Sequence, residues 1–258
     1  MGRALGPGVR HSSLLGLIGV VASIAAACGG SSGEEARPPT PPVDAAASRT
    51  NLAVELSDGT TIEYTLVLPN EFEPGGTYPV LLALPPGGQG QQEVDALLDR
   101  VWEDEARERG WIVVSPVAPD GALFFEGSER YVPEFLGIIE AAYPPEGGKF
   151  HLAGVSNGGL SAFRVVLNNP ELFHSLLAAP GFPPTPGDAE KLDRLAGEIP
   201  VAMYVGENDT GWREQMEASQ AELRRLGGEA SLTVSSGDGH IIEGFGGEEY
   251  FEFLDSVR

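Results

Sequence analysis

From about residue 50 onward the chain alternates between two hydrophobic periods, and few folds accept that alternation. P-V-L-L-A-L (Pro79 to Leu84), W-I-V-V-S (Trp111 to Ser115) and V-A-M-Y-V (Val201 to Val205) are apolar runs of strand length, as strands covered on both faces tend to be. Between them Val94, Leu97, Leu98, Val101 and Trp102 recur at helical spacing. So do Phe135, Ile138, Ile139 and Ala142, and later Trp212, Met216, Leu223 and Leu226, closed by Gly227-Gly228. N-L-A-V-E-L and T-I-E-Y-T-L-V-L, joined through Asp58-Gly59, predict a β-hairpin ahead of this series. F-H-L-A-G-V, S-L-L-A-A and A-S-L-T-V read as further strands, and Y-F-E-F-L falls in a terminal helix. The succession predicts an α/β fold, with a mostly parallel central sheet and helices on both faces. At 41% hydrophobic residues, 258 positions supply the core of one such domain.

One junction in this series bears on chemistry. F-H-L-A runs as a strand into Gly154-Val155-Ser156-Asn157-Gly158, and helix follows from Gly158. Small residues two before and two after a serine allow the sharp turn that exposes a nucleophile at the top of a sheet. A serine hydroxyl needs a base to take its proton, and that base needs a carboxylate to orient it. The expected order is serine, then acid, then histidine, each after a later strand. Of four histidines, His11 lies in the N-terminal segment, His151 in the strand before Ser156, and His174 beyond the following helix. Only His240, in G-D-G-H, sits in a loop late in the chain, so it is the expected base. The acid is expected directly after V-A-M-Y-V, at Asp209, with Glu207 in reserve; Asp238 is expected to support the histidine loop instead.

An oxyanion would need two backbone N–H donors. One is expected from Asn157 at the start of the helix, the other from the loop P-P-G-G-Q after the first parallel strand. Pro85 and Pro86 have no N–H, which leaves Gly87 and Gly88, with Gly87 the better placed by position. Phe124, Phe125, Phe182, Trp212 and Phe245 are candidate pocket aromatics, about half of them expected to be core. Between Ala179 and Val201 there is room for a short helix and a proline-rich loop but no large lid, so the site is expected to be open. With one cysteine and scattered histidines, neither a metal site nor a cofactor is expected.

A-L-P-P-G-G-Q, G-V-S-N-G-G and G-D-G-H resemble the A-L-H-G-x-G-Q, G-x-S-N-G-G and G-x-G-H stretches of secreted α/β-hydrolases of the polyhydroxybutyrate depolymerase and feruloyl esterase group. The resemblance spans most of residues 60–245. It implies an α/β-hydrolase fold with Ser156 as nucleophile, Asp209 as acid, His240 as base and Gly87 as an oxyanion donor, acting on small or polymeric esters. Pro85-Pro86 replace the group's His-Gly, and Ile241-Ile242 follow His240 where a tryptophan is common two residues on. A peptidase on the same fold, or a non-catalytic surface lipoprotein on that scaffold, are the alternatives.

The N-terminus reads differently. Arg3 and Arg10 precede an apolar run from Leu14 to Ala27, with no acid before Glu34. That is the pattern of an export signal, and the run is shorter than the roughly 20 residues that span a bilayer. I-A-A-A-C-G-G resembles a bacterial lipobox, which implies that Cys28 becomes a lipidated N-terminus; cleavage after Ala27 without lipid is the alternative. Residues 1–27 are thus read as a lipoprotein signal, 28–49 as a Gly/Ser/Pro-rich tether, and 50–258 as the hydrolase domain, exported and held to the cell envelope. A net charge of −22 argues against nucleic acid as a partner.

Overall fold

The computed structural model describes residues 48–258. The expected export signal with His11, Cys28, and all but the last two residues of the expected tether lie outside that range. Eight strands form one sheet: β1 (Arg49–Glu55), β2 (Thr61–Val67), β3 (Val80–Leu84), β4 (Ile112–Pro116), β5 (Phe150–Gly154), β6 (Phe173–Ala178), β7 (Val201–Gly206) and β8 (Ala230–Ser235). Their order is β1-β2-β4-β3-β5-β6-β7-β8. Only β2 runs against its neighbours; from β4 to β8 every pairing is parallel. The hairpin between β1 and β2 turns where Asp58-Gly59 predicts it, with Asp58 Oδ1 accepting the Thr60 N–H at 2.9 Å.

Helices α1 (Gln91–Leu97), α2 (Glu103–Arg109), α3 (Val132–Ala142), α4 (Asn157–Asn168), α5 (Pro186–Ala189), α6 (Thr210–Arg225) and α7 (Gly247–Ser256) cover the sheet. The continuous apolar strands are explained by their two buried faces. Val80, Leu82 and Leu84 of β3 pack with Phe135, Phe163 and Met216, from α3, α4 and α6. Leu81 and Ala83 face the other way, onto Val94, Trp102 and Phe251. Each residue step along a strand reverses the face, so both sides must be apolar.

The helix read at Val94 to Trp102 continues to Arg109, interrupted by one wide π-turn at Leu98–Trp102. Val94, Leu98, Trp102 and Ala106 are all fully buried. A strict four-residue repeat drifts by about 40° per step on a 3.6-residue helix, and the wide turn takes up that drift. On the outer side, Arg49 at the start of β1 ties the edge hairpin to this helix. It donates to Asp95 at 2.6 Å, to Glu103 at 2.9 Å and to Asp99.

His151, in β5, is 2% exposed and shares a 2.8 Å hydrogen bond with the Ser175 hydroxyl, its ring packed edge-on against Trp111. Burial, with His174 nearby, pushes its pKa down to about 3. The neutral ring therefore contributes its full stability above the unfolded value near 6.5. As pH falls from 6.5 toward 3, the unfolded chain binds a proton that the native state refuses, and that stability drains away. The expected slope from this residue is roughly 1 kcal/mol per pH unit. Urea midpoints of His151→Gln between pH 7 and 5 should fall less steeply than wild type; parallel lines would contradict the assignment.

Candidate active site

The strand order reverses between β3 and β5: β4 leads away on one side, β6 and β7 on the other. Such a switch point opens a crevice at the carboxyl ends of the strands. Ser156 follows β5, the P-P-G-G-Q loop follows β3, Asp209 follows β7 and His240 follows β8, all at that end of the sheet.

The turn carrying Ser156 is tight and strained. Ser156 has φ 57° and ψ −118°, a conformation costing a non-glycine residue about 1–3 kcal/mol. The neighbouring glycines make it possible. A methyl on Gly154 would lie 2.0 Å from the Gly158 carbonyl oxygen, and one on Gly158 would lie 2.1 Å from the Leu84 carbonyl oxygen. Neither contact is tolerable, so the small residues either side of the serine are required by backbone crossing. The Ser156 N–H donates to the Pro180 carbonyl at 3.0 Å, which fixes the turn against the end of β6.

Three side chains meet here. The Ser156 hydroxyl lies 2.7 Å from His240 Nε2, and His240 Nδ1 lies 2.7 Å from Asp209 Oδ2. A carboxylate against Nδ1 holds the ring proton there, which leaves Nε2 free to accept from the serine. Trp212 stacks edge-on against the imidazole, with centroids 4.7 Å apart, and Phe182 backs Trp212 at 5.0 Å.

The two other acids near His240 hold loops. Glu207 accepts the Gly237 N–H at 2.9 Å and the Ser236 hydroxyl at 3.1 Å, and these bonds hold its carboxyl below the usual range. Asp238 accepts from the Ser235 hydroxyl and from the N–H groups of Gly244 and Glu243, with the same effect. Together they pin both sides of the segment that carries the histidine.

The loop after β3, which carries Pro85-Pro86, is held by side-chain hydrogen bonds. Gly87 turns through φ 58°, and its carbonyl accepts from the Asn157 side-chain amide at 2.8 Å. Among the described residues neither the Gly87 nor the Asn157 N–H donates to a protein acceptor. Gln89 anchors the loop from beneath and is fully buried, with φ 55°. Its amide donates to the Pro85 carbonyl at 3.1 Å and to the Ser161 hydroxyl at 2.9 Å, and its side-chain oxygen accepts the Phe124 N–H at 2.8 Å. Sequence reasoning gave Gln89 no role and used only the backbone of Asn157. A lone polar residue between glycines was the available signal. Gln89→Leu would strand three buried groups, at about 1–3 kcal/mol each before relaxation. A lower melting temperature and a fall in kcat of about tenfold or more are expected, from thermal melts and ester assays. Unchanged kcat would show that the loop's exact shape does not matter.

A cavity of about 430 Å³ opens beside Ser156 and His240. Of the five aromatic candidates only Phe245 lines it. Phe182 and Trp212 stand behind the imidazole, Phe125 is half-buried, and Phe124 is a core residue at 1% exposure. The walls come instead from Ala96, Leu97 and Val101 on one side and Ile242 and Tyr250 on the other. Leu97 and Val101 had the spacing of core positions, and a helix face lining a cavity has the same signature. The segment between β6 and β7 holds only α5 and a short 3-10 turn, and inserts no lid domain there.

No protein-family model matches the chain, and no curated protein matches its sequence. Solved structures do match in shape. A thermostable esterase superposes with a TM-score of 0.66 at 18% identity, over 81% of this chain and 63% of its own. The feruloyl esterase module from Clostridium thermocellum, complexed with sinapinate, gives 0.59 at 18% identity, over 74% and 81%. Dipeptidyl peptidase 4 of Porphyromonas gingivalis gives 0.60 at 13%, over 81% and 34%. The chain thus spans 63% of the first esterase's length and about a third of the peptidase's. These likenesses establish the α/β-hydrolase fold.

Proposed function

We propose that this protein is a serine hydrolase that cleaves carboxylic esters through an acyl-enzyme. The observation that carries the reading is the unbroken line of hydrogen bonds from Asp209 through His240 to a half-buried serine held in a strained turn. Ser156 Oγ attacks the ester carbonyl as its proton passes to His240 Nε2. The carbonyl electrons move onto oxygen, where the Gly87 and Asn157 N–H groups receive the charge; each such donor is worth about 2.7–4 kcal/mol of barrier. The C–O bond to the alcohol then breaks, and His240 returns its proton to the departing oxygen. Water repeats the sequence on the acyl-enzyme and frees the acid and Ser156. Asp209 keeps the imidazole oriented and balances its positive charge throughout.

Esterases and peptidases both occur among the structural neighbours, so the assay must separate them. On 4-nitrophenyl acetate and butyrate a burst equal to the enzyme concentration is expected, followed by slower turnover. Dipeptidyl 4-nitroanilides should be cleaved far more slowly. Turnover of the anilides with none of the esters would replace the ester reading with a peptidase. A substrate of the hydroxyalkanoate or hydroxycinnamate ester type is the finer proposal, and it rests on the motif resemblance.

The export and anchoring reading belongs to the same proposal and rests on the sequence around Cys28. Cys28→Ser is expected to move the protein from the membrane fraction to the soluble envelope fraction. Retention on membranes would contradict lipidation there.

A further inference from the structure

The cavity beside Ser156 has a polarity that the proposed reaction does not use. Along its helical wall Glu93, Ala96, Leu97, Arg100 and Val101 fall on one face, by the three- and four-residue spacing of a helix. The opposite wall is Ile242, Phe245 and Tyr250, so the space between is apolar. Glu93 stands at the catalytic end, its carboxylate spent on the Gly90 N–H at 3.1 Å. Arg100 stands two helical turns further on, about 10 Å away along the axis. It is the only lysine or arginine lining the cavity among the described residues.

Arg100 is also underused. In a chain with 38 acids and 16 bases, Arg49, Arg109, Arg164 and Arg258 all sit on carboxylates. Arg100, like Arg130, Arg194 and Arg224, pairs with none among the described residues, and its one side-chain hydrogen bond there is a 2.7 Å donation from Nη2 to the Ile242 carbonyl. Asp238, close enough to feel its charge, is itself engaged by Ser235, Glu243 and Gly244. A guanidinium has five N–H donors, so four remain. An arginine held by one hydrogen bond and lining a groove that also contains the nucleophile is placed to receive an anion.

We propose that this groove takes an ester carrying a carboxylate at the far end of a short apolar chain, with Arg100 holding that carboxylate while Ser156 attacks the ester. The inference rests on the ester-hydrolase reading and names the substrate class of that site. The acidic surface repels such a substrate at long range, which makes a local cation the more necessary. Glu93, at the other end, disfavours the reversed orientation, with the carboxylate beside the nucleophile.

The test compares matched substrates in one protein. Mono-4-nitrophenyl esters of glutaric, adipic and suberic acid carry a free carboxylate on the acyl side; their methyl-capped diesters are neutral isosteres. Butyrate esters of ω-hydroxy acids and their methyl-capped forms do the same on the alcohol side. Wild type should favour the acid-ended member of one pair by about tenfold in kcat/KM, through KM. Arg100→Gln keeps a polar amide but lacks the charge, and it should erase that preference. Arg100→Lys should restore part of it. Because the readout is a ratio within each variant, a general disturbance of the histidine loop cancels. A wild type that favours the neutral member of both pairs, or a ratio that Arg100→Gln leaves unchanged, overturns the proposal. Absence of turnover on every ester would instead sink the ester-hydrolase reading itself.

Discussion

Ser156→Ala is expected to lower kcat on short 4-nitrophenyl esters by about a millionfold, the loss that follows when a triad serine is removed. The magnitude follows from what remains. Without Oγ no acyl-enzyme forms, and His240 can only direct a water from a position built for a hydroxyl. The Gly87 and Asn157 N–H groups still favour the oxyanion, so a residual rate about 10³–10⁴ above water persists. Stability should barely change, since among the described residues the Ser156 hydroxyl bonds only to His240, and the backbone strain is the same for alanine. A melting curve on the same preparation separates lost chemistry from lost fold. An alanine variant with wild-type turnover would remove Ser156 from the reaction.

The second large effect distinguishes the two acids after β7. Asp209→Asn should lower kcat by about 10⁴, with KM nearly unchanged. An amide facing His240 Nδ1 lets the ring adopt the other tautomer, with its proton on Nε2, where it opposes the serine hydroxyl instead of accepting from it. The imidazolium formed during attack also loses its counter-charge. Glu207→Gln should cost less than about tenfold, because one amide oxygen can still accept the Gly237 N–H. Steady-state kinetics on both variants decides the matter. A large loss at Glu207 with a small one at Asp209 would move the acid by two residues and break the proposed relay.

Much of this arrangement could be read from the chain, for identifiable reasons. The parallel strands are buried on both faces, so P-V-L-L-A-L and V-A-M-Y-V carry an uninterrupted apolar signal. The turn at Gly154-Val155-Ser156-Asn157-Gly158 is legible because close backbone crossings demand glycine. What the sequence concealed lies where one residue pattern serves two ends. Leu97 and Val101 look like core positions and line a cavity, whereas Phe124 looks like a pocket residue and is core. The π-turn was invisible because Val94, Leu98, Trp102 and Ala106 satisfy a helical pattern until the drift is summed. Gln89 and the Asn157 side chain act through contacts with Ser161 and Gly87, about 70 residues away in sequence, and no local rule foretells such contacts. Pro85-Pro86, the clearest departure from the resembled motif, leaves Gly87 turned at φ 58° with its N–H without a protein acceptor among the described residues.

The central claim is that Ser156 is an activated nucleophile, and one measurement addresses it without knowledge of the substrate. Purified protein is treated with a fluorophosphonate probe, which bonds covalently only to a serine whose proton a neighbouring base can take. Digestion and mass spectrometry then locate the adduct. The account predicts stoichiometric labelling at Ser156, absent in Ser156→Ala and strongly slowed in His240→Ala. A folded wild-type protein that takes up no probe, or takes it up at another serine, would contradict it.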